Sequence, residues 1–183
     1  MAITSLKSGI STRSGMAGNT LIYPGSYDSI ASASPAGSTS LTFSSIPSTY
    51  SHLQIRYMGV SSYPLISSNL GAGTKSHSLY GYGSGSAAYA WDPLAGGMYV
   101  AIDGNSGNVS TGIIDILDYA NTSKNKTFRA LHGRETNTAD SSIHFASGFW
   151  NSTSAISSIT ITNNVSGSVA FGTGTSFALY GVN

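Results

Sequence analysis

A chain of 183 residues with a formal net charge of +1 suits one domain with a real core. Only 8% of the residues are charged, against roughly 25% in an average soluble domain, and the eight lysines and arginines are scattered, which excludes an extended nucleic-acid footprint. Cysteine is absent, which excludes disulfide staples and thiolate metal sites and leaves stability to packing and hydrogen bonds.

Residues 1–22 place Leu6, Ile10, Met16, Leu21 and Ile22 among Ser, Gly and Thr with neither a helical nor an alternating period. The stretch reads as an extended N-terminal arm. Leu6, Ile10, Leu21 and Ile22 are its candidate partner-binding residues, because apolar side chains this sparse cannot form a core of their own. The first seven residues hold no apolar run of signal-peptide length, and no segment approaches the roughly 20 apolar residues of a membrane helix. Synthesis in the cytoplasm and no membrane partner are therefore expected.

Residues 23–183 read as a single all-β domain. Short β-patterned runs at 27–33, 39–46, 52–60, 97–103, 112–119, 126–131, 142–150, 156–162 and 168–181 are separated by Gly, Pro, Asn and Ser. Leu53, Ile55 and Tyr57 alternate with His52, Gln54 and Arg56, and Ile143 and Phe145 flank His144, a sign of sheets buried on one face. An antiparallel β-sandwich of jelly-roll type satisfies this pattern, with a closed barrel as the competing architecture. The core is expected to include Leu41, Phe43, Leu53, Ile55, Ile114, Ile116, Ile159, Ile161, Phe177 and Leu179. Region 61–96 reads differently, as a loop-rich insertion with weak strands. Its Tyr80, Tyr82, Tyr89 and Trp91 form a candidate aromatic contact loop, since Tyr and Trp offer much contact area at low entropy cost.

The stretch from Gly112 to Arg129, G-I-I-D-I-L-D-Y-A-N-T-S-K-N-K-T-F-R, reads as a β-hairpin whose turn is Asn121-Thr122-Ser123. Ile114 and Ile116 fall on one face, Asp115 and Leu117 on the other. Seven of the fifteen charged residues lie between Asp115 and Glu135. Within that cluster Asp118, Lys124, Lys126 and Arg129 are candidate subunit contacts, weighed against a solvated hairpin with weak surface ion pairs.

Motifs for catalysis fail on context. Leu70-Gly71-Ala72-Gly73-Thr74-Lys75-Ser76 lacks the glycine before lysine and the strand–loop–helix setting of a phosphate loop. His52, His77, His132 and His144 are far apart without metal-ligand spacing and read as strand surface residues. Asp115 and Asp118, three apart, do not make a carboxylate pair across one bond. No catalytic residue, metal, cofactor or nucleic-acid partner is expected.

The Gly112–Arg129 hairpin resembles a recurrent element of small β-rich virion proteins of tailed bacteriophages, characterised by V/I-I-D-I-L-D-Y-A-N-T-x-K-x-K-T-x-R. The resemblance extends, in order, to Gly18-Asn19, to Pro24–Ala31, to Leu41–Tyr50, to His52–Arg56 and to Phe177–Gly181. It implies a non-enzymatic structural protein located in the virion. Capsid decoration or cementing is the first expectation, with phage capsid or tail proteins as partners and a homo-oligomer, a trimer among its forms. A tail-fibre or receptor-binding module that meets glycans is the alternative, and a polysaccharide-degrading enzyme ranks below both.

Overall fold

The computed structural model describes residues 15–17, 20–22, 26–60, 64–72, 75–83, 85–91, 98–99, 108–136, 141–163 and 169–183. These residues form strands, turns and coil, with no helix among them. In chain order the strands are β1 (Gly15–Ala17), β2 (Thr20–Ile22), β3 (Tyr27–Ala33), β4 (Ser40–Phe43), β5 (His52–Val60), β6 (Pro64–Ser68) and β7 (Lys75–Tyr82). They continue as β8 (Gly85–Trp91), β9 (Met98–Tyr99), β10 (Val109–Leu117), β11 (Lys126–Glu135), β12 (Ser142–Trp150), β13 (Ile159–Asn163) and β14 (Ser176–Val182).

Two open sheets carry the fold. The larger has the order β3-β14-β5-β10-β11-β12-β7-β8, the smaller β4-β13-β6-β9, and every pairing is antiparallel. One buried cluster joins Phe43, Ile66, Ile159 and Ile161 of the small sheet to Leu53, Ile55, Ile114 and Leu179 of the large one, so the core lies between two layers as in a sandwich. Within the arm stretch, β1 and β2 pair as a small hairpin of their own. Leu6 and Ile10 lie outside the described residues.

Period-two alternation explains the large sheet. β10 and β11 bury every second residue, and register aligns the buried positions into rows that cross the sheet. One row runs Leu179, Ile55, Ile114, Ala130, Ala146; the next runs Phe177, Tyr57, Gly112, His132, His144, Tyr80. The expected core residues are buried except Leu41, which is half-exposed and packs against the cluster. Region 61–96, expected as a loop-rich insertion with weak strands, supplies β6, β7 and β8, and β7–β8 is a regular hairpin at one edge of the large sheet. Alternate small residues there extend the sheet without the apolar alternation that marks a strand in sequence.

Candidate functional site

The Gly112–Arg129 stretch occupies the middle of the large sheet, with β10 paired to β5 and β11 to β12. Its turn is tied from several sides. Asp118 ends β10 with φ 51°, a left-handed conformation that Asp tolerates better than most residues, and its N–H donates to His52 Nδ1 at 3.0 Å. Tyr119 is fully buried and its hydroxyl donates to the Pro47 carbonyl, while the Tyr119 carbonyl accepts from Ile156 N–H at 2.9 Å. Asn121 Oδ1 accepts from the Ser123 N–H and hydroxyl, both at 2.8 Å, which closes an Asx turn.

Lys126 is the unexpected element. Its side chain is 0% exposed, and its ammonium donates to the carbonyls of Asn121, Lys124 (2.6 Å) and Thr153 (3.1 Å). Three carbonyl dipoles replace water around the charge, which is how a buried cation is tolerated. Burial still lowers its pKa, opposed by the Asp118 carboxylate. Lys126 is therefore an internal strut and not a subunit contact: no part of it reaches the surface. Lys124 and Asp118 do, forming an ion pair at 3.1 Å with side chains 60% and 40% exposed, and the Lys124 hydrogen bond holds the Asp118 carboxyl below its usual range. Arg129 projects from the outer face of β11, three residues beyond Lys126 and so on the opposite side of the sheet.

Between the sheets lies a polar row. Gly112 sits between Tyr57 and His132 in register, and the absent Cβ lets the phenol reach across β10, since a Cβ there would come 2.6 Å from the Tyr57 ring. The Tyr57 hydroxyl meets His132 Nδ1 at 2.6 Å. His144 contacts Ser142 Oγ at 3.1 Å through Nε2 and stacks on Tyr80 with centroids 5.0 Å apart. His132 and His144, expected at strand surfaces, are each 1% exposed. Desolvation, then the neighbouring His144 and Arg134 charges, depress His132 to about 3; desolvation and Arg134 depress His144 to about 4. Both imidazoles are thus neutral at physiological pH and packed away from solvent, an arrangement that suits a rigid interior rather than proton exchange with a surface substrate. Their inward placement was available from parity, since His132 follows Phe128 and Ala130, and His144 precedes Ala146, by even steps.

Tyr80 belongs to this interior row and is half-buried. Tyr82, Tyr89 and Trp91 stand on β7 and β8, paired in register with Gly85, Ser78 and Ser76, so the four aromatics sit on strands and not on a loop. Leu21 and Ile22 stand on β2. Among the described residues no group of three or more His, Cys, Asp or Glu is placed to hold a metal ion, and no helix is long and apolar enough to cross a membrane.

On β12 the parity is the reverse of the expected one: Ile143 and Phe145, expected on the buried face, point outward while His144 is buried, and on the other strands the outer face of the large sheet went unread in the sequence. Leu79 and Ile143 are each 59% exposed, and Leu131, Phe145, Met58 and Ile113 between 51% and 42%. They are the odd-parity partners of the buried rows and form one contiguous stripe over β5, β10, β11, β12 and β7. Comparison with known protein families, curated proteins and solved structures returned no match.

Proposed function

We propose that the chain is a non-enzymatic structural protein of a tailed-phage virion, a jelly-roll sandwich that decorates or cements the capsid by binding neighbouring capsid subunits. The observation that carries this reading is what the signature residues do. Asp118 spends its polar atoms on His52 and Lys124, Asn121 on Ser123 and Lys126, and Tyr119 and Lys126 on backbone carbonyls. The most distinctive segment of the chain therefore builds a rigid sheet centre and presents no ligand-binding constellation, as a structural part requires. A surface with few charges, suited to lasting contact with other protein, agrees with it. The arm, residues 1–22, is the element proposed to reach a neighbouring subunit.

The test is addition of purified chain to particles that lack it, followed by reconstruction. Lattice-wide density on the head is expected. Density confined to the tail tip, together with binding of free protein to host polysaccharide, would select the receptor-binding alternative, for which the aromatic-bearing β7–β8 edge is the natural contact. Absence of particle binding would refute the virion reading.

A further inference from the structure

The outer stripe of the large sheet amounts to roughly 600 Å² of exposed apolar area, at the top of the range for a monomer surface and near the scale of one side of a stable interface. Its two halves differ in relief. Over β11, β12 and β7 it is a ridge made by Leu131, Ile143, Phe145 and Leu79. Over β5 and β10 it runs into an open trough of about 720 Å³ that reaches β14 and β3 and is lined by Met58, Ile113 and Ala178 together with polar Ser32, Arg56 and Ser176. Arg56, also on this side, is drawn toward β14, its guanidinium 4.6 Å and 4.9 Å from the Tyr27 and Tyr180 ring centroids.

A two-fold axis brings the ridge on one half of such a face over the trough on the other. We propose that this face is a contact between two copies of the chain, stacked sheet on sheet about an axis parallel to the strands and midway between β10 and β11. That operation keeps each register row and reverses the strand order. It sets Ile113 over the other copy's Leu131, Met58 over its Ile143, Leu79 over its Ala178, and the Phe145 ring over its Arg56, a cation–aromatic contact. Thr111 falls over Gly133, where the space above the backbone is open within 4 Å.

The charges match under the same axis. Asp115 and Arg129 are register partners in the adjoining row, yet among the described residues they form no ion pair with each other; Asp115 instead accepts from Gln54 Nε2 at 2.8 Å. The two-fold places Asp115 of each copy over Arg129 of the other, two opposite-sign contacts at the rim of the apolar stripe, where charge fixes register and partner. This contact goes beyond the virion reading and does not depend on it.

Sedimentation equilibrium of the purified chain, of 18.8 kDa, tests it. A dimer is expected at about 50 µM, and Leu131→Lys or Ile143→Lys should weaken association roughly a hundredfold while leaving the circular dichroism of the native chain unchanged. The register has its own test. D115R and R129D each bring like charges together twice in a homodimer and should weaken it roughly tenfold or more, whereas an equimolar mixture of the two variants restores opposite pairs at both positions and should recover dimerisation. A monomer at several hundred micromolar, a trimer, a dimer indifferent to the lysine substitutions, or a mixture no stronger than its components would each overturn the proposal.

Discussion

Replacement of Lys126 by methionine keeps the length of the side chain and removes the three donors. The carbonyls of Asn121, Lys124 and Thr153 then lose their charged partner, and an acceptor left unsatisfied in a buried site costs about 1–3 kcal/mol. Asn121 is half-buried while Lys124 and Thr153 are exposed, so water can reach part of the vacated shell, and relief of the desolvated ammonium offsets some of the remainder. A net loss of about 2–4 kcal/mol follows. Lys124→Met is the internal control: it removes the same charge two residues away, but from a 60% exposed side chain whose ion pair with Asp118 is worth at most about 1 kcal/mol. Urea denaturation at pH 7 reads the difference. With a slope of about 2 kcal/mol per molar, Lys126→Met should lower the midpoint by about 1–2 M and Lys124→Met by less than about 0.5 M. Equal shifts for the two would mean that the buried ammonium does not hold the turn, and the structural role given to the signature segment would fall with it.

Acidification tests the buried histidines. Because His132 and His144 are depressed from 6.5 to about 3 and about 4, the unfolded chain binds more protons below pH 6.5, so stability is at its full value above that pH and falls as pH drops toward 4. The slope approaches about 1.4 kcal/mol per pH unit for each histidine, and His132→Phe with His144→Phe should flatten it; a wild-type urea midpoint unchanged between pH 7 and 4.5 would contradict the burial. Gly112→Ala should push the Tyr57 ring off His132 and cost about 1–3 kcal/mol in thermal or urea unfolding, whereas Gly133→Ala, in open space one strand over, should be nearly silent. Deletion of residues 2–22 should leave the Tm of the sandwich nearly unchanged and sharply reduce incorporation into particles; a truncated chain that unfolds, or one that incorporates normally, contradicts the role of the arm.

Strands whose buried positions are large and apolar were legible. Leu53, Ile55 and Tyr57 set the parity of β5, and Ile114 and Ile116 that of β10, because a half-buried strand writes its face into every second residue. The reading of β11 stopped at Leu131 for the same reason: the next inward positions are His132 and Arg134, and polar residues at core parity look like the end of a strand. Around β7 and β8 the inward positions include Ser76 and Ser78, so small residues that extend a sheet were read only as weak strands in a loop-rich insertion. Lys126 was read as surface because charge ordinarily means solvent, and its three acceptors are carbonyls, which sequence does not display. The outer stripe escaped notice because Leu79, Leu131, Ile143 and Phe145 belong to three strands of a pattern read one strand at a time. Only register shows that Leu79, Leu131 and Phe145 share one row and Ile143 the next.

The position of β14 has a consequence for how the nascent chain matures. It inserts between β3 and β5, joining strands early in the sequence through the strand that comes after all the others described. The β10–β11–β12 meander can zip as soon as it emerges, since its partners are neighbours in sequence. Until residue 182 is free, however, β5 keeps one edge unpaired and β3 has no place in the large sheet, so the growing chain displays open strand edges beside its most apolar face. Completion of the large sheet thus waits for β14, and a truncation that removes β14 acts on the closure of the sheet itself.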